Sequence, residues 1–109
     1  MVEEKRRHAR VPVEISLFFQ VKGRNRERPG IGKDISLGGM FIETPEPAPF
    51  SSELLIRVRL PGSDQSFLLR SVVRWETKLG MGVQFGLLGA VETHLITEIT
   101  RHYGRANPP

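Results

Sequence analysis

Two short groups of polar residues carry the chemistry that this sequence could perform. The first is a basic run, Lys5-Arg6-Arg7-His8-Ala9-Arg10, in which Arg6 and Arg10 lie four residues apart. If this run is extended as it enters a strand, side chains four apart project to the same side. Each guanidinium group could then hold a phosphate or donate two N–H groups to a guanine edge. Taken alone, however, such a run is more typical of a disordered basic tail.

The second group is Asp34-Ile35-Ser36-Leu37-Gly38-Gly39. The carboxylate of Asp34 could accept hydrogen bonds from a guanine, and the hydroxyl of Ser36 or nearby backbone N–H groups could bind phosphate. Gly38 and Gly39 would let the backbone approach a ligand closely and adopt a positive φ. Taken alone, the same residues are typical of an ordinary turn.

The rest of the sequence offers no catalytic or metal-binding group. The chain has no cysteine, which excludes disulfides and thiolate metal sites. His8, His94 and His102 have no partners at metal-ligand spacing. No serine stands in a nucleophile-elbow motif. The sequence therefore predicts a binding module rather than an enzyme, with neither a cofactor nor a metal.

Length and composition predict one small domain. The chain has 109 residues, enough for a single core. Its 16 Lys and Arg against 12 Asp and Glu give a net charge of only +4, so the position of the charge matters more than its sum. No apolar stretch is long enough to span a bilayer, and no apolar signal segment follows the charged N-terminus. We expect a cytoplasmic protein.

Alternating apolar and polar residues predict a sheet protein. Six segments either alternate between apolar and polar residues or are short apolar runs between turn-forming residues. These predicted strands are residues 11–21, 31–35, 40–43, 54–60, 67–76 and 81–85. Residues 23–30 and 44–49 are rich in glycine, proline or polar residues and predict loops. Several short strands of this kind indicate a closed or sandwiched antiparallel sheet.

After Ala90 the apolar period changes to that of a helix. Its apolar face is predicted to contain Val91, Leu95, Ile96 and Ile99. Gly104 is predicted to end the helix.

The two polar groups together, in this order and separated by a strand and a loop, resemble the signature of the PilZ family, whose members are receptors for cyclic di-GMP (c-di-GMP). The matching positions are Arg6-x-x-x-Arg10 and Asp34-x-Ser36-x-x-Gly39. The later strands, at 72–75 and 81–85, are also similar to that family. The resemblance implies an all-β fold, a six-stranded antiparallel β-barrel of split-barrel type with a C-terminal α-helix, and no catalysis. It divides the chain into a flexible basic segment (1–10), the barrel with its helix (11–103) and a disordered tail (104–109).

By position, the resemblance implies a c-di-GMP site formed by Arg6, Arg7, Arg10, Asp34, Ser36, Gly38, Gly39 and Trp75. The arginines would hold phosphates and guanine Hoogsteen edges. Asp34 and Ser36 would bind a guanine edge or orient the arginines, and the glycines would leave space for the ligand. Two interpretations of Trp75 stay open: its ring could stack on a base, or it could be a core residue in phase with Val73.

The implied mechanism is an ordering of the basic segment. Like charges should keep residues 5–10 mobile until the anionic ligand neutralises them, and the folded segment would change the surface seen by an unidentified effector protein. Two alternatives stay open. One is a PilZ-like module that binds protein without nucleotide. The other is a single-stranded nucleic-acid binder, which the small number of aromatic residues disfavours.

Overall fold

A computed structural model describes residues 9–60 and 62–106 of the chain, without the side chains of 105 and 106. Six strands and one helix follow in order: β1 Val11–Val21, β2 Glu27–Ile35, β3 Gly39–Glu43, β4 Glu53–Arg59, β5 Ser66–Glu76, β6 Gly80–Phe85 and α1 Ala90–Ala106. The strands form a closed barrel in the order β1-β2-β3-β6-β5-β4, and every neighbouring pair is antiparallel. The predicted six-stranded barrel with a C-terminal helix is confirmed.

The barrel interior is filled by the inward face of each strand. In β1 the alternation places Val13, Ile15, Leu17 and Phe19 inside, each less than a tenth exposed. The other strands contribute in the same way, because successive side chains of a strand point to opposite faces. One continuous apolar core results, and the outer face is left free to carry a site.

Strand β2 begins earlier than the sequence indicated, at Glu27 rather than Ile31. Pro29, which was predicted to lie in a loop, pairs with Phe18 of β1. Its carbonyl accepts a hydrogen bond from Thr44 Oγ1 (3.1 Å), which follows β3. This carbonyl points away from β1, and the N–H and C=O of a strand residue point to the same side. An N–H at position 29, which proline lacks, would therefore also point away from β1. The proline therefore leaves the ladder with β1 intact.

The helix is capped at its start and continues further than predicted. The N–H of Gly89 donates to Glu92 Oε1 (2.8 Å), which is half of a capping box. Leu95, Ile96 and Ile99 are buried against the barrel, as predicted. The helix runs through Gly104 to Ala106, because Gly104 does not adopt the positive φ that a C-terminal glycine cap requires.

The prediction for Val91 was wrong, because its side chain is 57% exposed. The buried stripe of α1 is centred between Leu95 and Ile96. At 100° per residue, Val91 lies about a quarter-turn from the centre of that stripe, whereas Glu92 lies near it. Glu92 instead folds back to cap Gly89.

The described residues include neither a membrane-spanning helix nor a cluster of metal-ligating side chains. The helix α1 lacks the length and the apolar character needed to cross a bilayer. Among residues 9–60 and 62–106, no three His, Cys, Asp or Glu side chains come together as a metal site.

Candidate functional site

Strand register brings residues of five strands into one row on the outside of the barrel. Asp34 of β2 lies opposite Pro12 of β1 on one side and Phe41 of β3 on the other. Phe41 lies opposite Gly82 of β6, and Gly82 opposite Trp75 of β5. An acid and two aromatic rings, which are far apart in sequence, therefore become neighbours on one surface.

Arg10, the residue before β1, is held at one end of this row. Its Nη1 donates to Asp34 Oδ1 at 2.7 Å, and the two side chains are 17% and 34% exposed. The backbone N–H of Phe41 donates to the same Oδ1 (3.1 Å), which fixes the carboxylate. The Nε of Arg10 is buried and has no hydrogen-bond partner among the described residues. Buried donors are nearly always paired, so an unpaired one points to a partner that the described residues do not supply.

Ser36 orders the turn between β2 and β3. Its N–H donates to the carbonyl of Gly39 (2.9 Å), and its Oγ accepts from the N–H of Gly38 (3.0 Å). The carbonyl of Gly38 accepts from Phe85 N (2.9 Å), which ties the turn to the end of β6. The side chain is only 5% exposed. Ser36 therefore shapes the site through the backbone of the turn.

Gly39 is required by the protein itself. A Cβ at this position would collide with the backbone carbonyl of Val83, because β3 and β6 approach closely here. Among the described glycines only Gly23 and Gly62 have a positive φ. The expectation of a positive φ at Gly38 and Gly39 was therefore wrong, and close strand packing is the reason for glycine at the second position.

Trp75 is an outer-face residue, so the interpretation as a core tryptophan was wrong. The register of β5 against β6 shifts between Val73 and Trp75. This bulge moves Trp75 out of phase with the buried Val73 and leaves it 43% exposed. Its indole lies over Gly82, where a Cβ would collide with the ring.

Phe41 is the residue that sequence reasoning missed. Its ring stacks on Trp75, with 5.3 Å between the ring centroids and 20° between the planes. A signal was present, because inward Met40 and Ile42 leave the aromatic between them on the outer face. The neighbour that makes it part of a site comes from β5, and local sequence does not show that neighbour.

The family of the chain follows from a match over most of its length. The PilZ domain model matches residues 4–101. The chain belongs to the PilZ domain family. A search of the curated proteins found no match.

Solved PilZ structures share this fold at low sequence identity. The PilZ domain of YcgR from Escherichia coli with c-di-GMP superposes with a TM-score of 0.77 at 15% identity, over 94% of each chain. The PilZ domain of CeSA from a cellulose-synthesizing bacterium gives 0.71 at 16%, over 86% of this chain and 96% of that one. The Bacillus subtilis inhibitor of motility, MotI/DgrA, gives 0.69 at 18%, over 97% of this chain and 55% of that one.

In this PilZ domain the described part of the predicted site is assembled in one place. Arg10 is paired with Asp34, and the turn formed by Ser36, Gly38 and Gly39 lies at the same end of β2 and β3. Trp75 joins them through Phe41. Arg6 and Arg7 lie outside the described residues.

Proposed function

We propose that this PilZ domain is a receptor for c-di-GMP and that Arg10 is the centre of its site. The observation that carries the proposal is the state of the Arg10 side chain. It is 17% exposed, fixed by Asp34, and keeps a buried Nε donor with no partner among the described residues. The shared fold of the YcgR PilZ domain, whose structure contains c-di-GMP, supports the choice of ligand.

Arg10 and Asp34 divide the polar contacts. Asp34 uses Oδ1 for both of its described hydrogen bonds, to Arg10 and to the N–H of Phe41. Its Oδ2 can accept from the N1–H and N2–H groups of a guanine. The Nη2 group of Arg10, with the remaining N–H of Nη1, can donate to a phosphate or to the O6 and N7 atoms of guanine. The pair therefore offers an acceptor and a donor set side by side.

The aromatic pair, Phe41 and Trp75, supplies an apolar contact next to these polar groups. A half-exposed indole backed by a second ring is fixed in place, and a base can stack on it at little entropic cost. We propose that Trp75 stacks on a guanine and that Arg6 and Arg7 add phosphate contacts. Ser36, Gly38 and Gly39 hold the turn that borders the ligand.

The proposed output is an ordering of the N-terminal segment against the barrel, which changes the surface that a partner protein meets. The anionic ligand neutralises the charges of residues 5–10 and lowers their mutual repulsion. Amide hydrogen exchange at residues 3–12 should slow on saturation with c-di-GMP. Unchanged amide exchange at these residues, at a ligand concentration where binding is complete, would exclude the ordering of the N-terminal segment. The proposal that the domain binds c-di-GMP would still stand.

Titration with c-di-GMP tests the function directly. Calorimetry should show saturable binding, micromolar or tighter. Trp75 is the only tryptophan, so its fluorescence should change along the same curve. In Trp75→Phe the heat should persist, weakened by less than about tenfold because an aromatic ring remains, while the fluorescence signal is lost.

Two other results would assign a different function. Absence of heat at high c-di-GMP concentration would leave a PilZ module that binds protein alone. Tight binding of single-stranded oligonucleotides of any sequence, weakening steeply with salt, would instead indicate a nucleic-acid binder.

A further inference from the structure

The outer face of β4 and β5 carries leucines where a solvated sheet would carry polar residues. Leu55 is 37% exposed and Leu68 is 52% exposed. The two strands pair so that Leu55 lies opposite Arg70 and Leu68 opposite Arg57, which makes the two leucines diagonal neighbours. In the barrel order β4 lies three strands from β3, and on β5 the residues of this face, Leu68 and Arg70, lie seven and five positions before Trp75.

The linker between β6 and α1 places a third leucine, Leu87, beside these two on the surface. The side chain of Leu87 is fully exposed, at 105%. The linker is nevertheless fixed, because the N–H of Gly86 donates to the carbonyl of Arg70 (2.8 Å) and Leu88 packs against the core. The backbone of Leu87 is therefore anchored on both sides. Leu87 lines a groove of about 440 Å³ together with Leu55 and Leu68.

The charges around these leucines are mixed. Glu92 also lines the groove, where its Oε1 accepts a hydrogen bond from the N–H of Gly89, while the arginines are only partly paired. Arg57 is neutralised, since its Nε and Nη2 donate to Glu27 at 3.0 and 2.7 Å, and these hydrogen bonds hold the pKa of Glu27 below its usual value. Arg59 and Arg70 have no acidic partner within the described residues. We call Leu55, Leu68, Leu87, Arg59 and Arg70 the leucine–arginine face.

We propose that the leucine–arginine face binds an acidic amphipathic helix of a partner protein. The three leucines supply apolar anchors that are already in position, which reduces the entropy lost on binding. Arg59 and Arg70 form no ion pair within the described residues and favour carboxylates on the partner.

The closed barrel decides between a helix and a strand as the occupant. Both edges of β4 and of β5 are already paired within the barrel, so a partner cannot add a strand to them. Contact has to be made through side chains. A helix with apolar residues at i, i+3 and i+4 and glutamates on its flanks fits that requirement. Because this face lies away from Arg10, the helix and c-di-GMP can bind at the same time.

The test uses the full chain and a synthetic helical peptide of about 18 residues, or five turns, with leucines on one face and glutamates on both flanks. Amide NMR shifts should be confined to β4, β5 and residues 86–89. Leu55→Ser with Leu68→Ser should weaken binding by at least about tenfold, as loss of apolar anchors does. Leu79→Ser is the control, because Leu79 is even more exposed (66%) and lies outside the face.

Charge reversal adds a second test. Arg59→Glu with Arg70→Glu should abolish binding of the acidic peptide and create binding of its lysine counterpart. Equal binding of a scrambled peptide, whose leucines surround the helix, would overturn the proposal. So would shifts outside the face. Binding to phosphatidylglycerol vesicles in place of the peptide would assign the face to lipid, and self-association lost in Leu68→Ser would assign it to a second copy.

Titration with c-di-GMP distinguishes a failure of the peptide-binding proposal from a failure of the proposed c-di-GMP receptor function. The Leu55→Ser and Leu68→Ser variant should bind c-di-GMP as the parent does, since neither residue touches the Arg10 site.

Discussion

Replacing Arg10 with alanine should lower the affinity for c-di-GMP by about 100-fold or more. Hydrogen bonds to charged groups contribute about 1.5–3 kcal/mol each, and the side chain offers at least two to the ligand. Arg10 is also the described arginine that Asp34 holds in place, so another described arginine is not positioned to make the same contacts. Calorimetry at constant ionic strength measures the loss, because phosphate contacts depend on salt.

Two matched variants show whether position or charge is responsible. Arg101→Ala removes the same charge from the exposed side of α1, where Arg101 pairs with Glu98; we expect the parental affinity. Arg10→Lys keeps the charge but loses the planar fork, and should weaken binding by about tenfold. Equal losses in Arg10→Ala and Arg101→Ala would mean that net charge alone attracts the ligand.

The Arg10→Ala variant should remain folded. Its partner Asp34 is 34% exposed and keeps the hydrogen bond from Phe41 N–H, so water can satisfy the carboxylate. An unchanged circular dichroism spectrum and thermal midpoint within a few degrees would establish that the binding loss is local.

Most of the barrel could be predicted from sequence because its strands bury one face. The alternation of β1, in which Val13, Ile15, Leu17 and Phe19 point inward, fixes both the strand and its orientation. The start of β2 could not be predicted in this way. Pro29 and Gly30 are turn formers in local terms, and only the hydrogen bond from Thr44 and the pairing with Phe18 place them in a strand.

Part of the candidate site could likewise be predicted from the sequence, and part of it could not. The Arg10–Asp34 pair was accessible from sequence, because the residue types and their order form a recognisable signature, and the structure joins them at 2.7 Å. The aromatic pair was not accessible, since it depends on a bulge that turns Trp75 outward and on register that sets Phe41 beside it. Long-range pairing decides such features, and periodicity within one strand does not reveal them.

Alanine at Gly80 or Gly39 should destabilise the domain by about 3 kcal/mol, the upper part of the usual range for overpacking. A Cβ at Gly80 would collide with the carbonyl of Ile42, and one at Gly39 with the carbonyl of Val83. Backbone atoms cannot rotate away as a side chain does, so β3 and β6 would have to separate and weaken their hydrogen bonds. Urea denaturation measures the change in the free energy of unfolding.

Gly104→Ala is the matched control for the same added methyl group. A Cβ there meets no described atom within 4 Å, and the residue is helical. Alanine should therefore raise the free energy of unfolding by up to about 1 kcal/mol. A Gly80→Ala protein as stable as the parent would contradict the close approach of β3 to β6.

The two destabilising variants should differ in ligand binding, although they act on the same pair of strands. Gly39 lies in the turn that Ser36 orders, at the end of the ladder next to Asp34, whereas Gly80 pairs with Glu43 at the other end. Binding measured on folded protein should weaken in Gly39→Ala and stay near the parental value in Gly80→Ala. Equal affinities in both variants would mean that the turn does not border the ligand, and the contact region would then be restricted to Arg10, Asp34 and the aromatic pair.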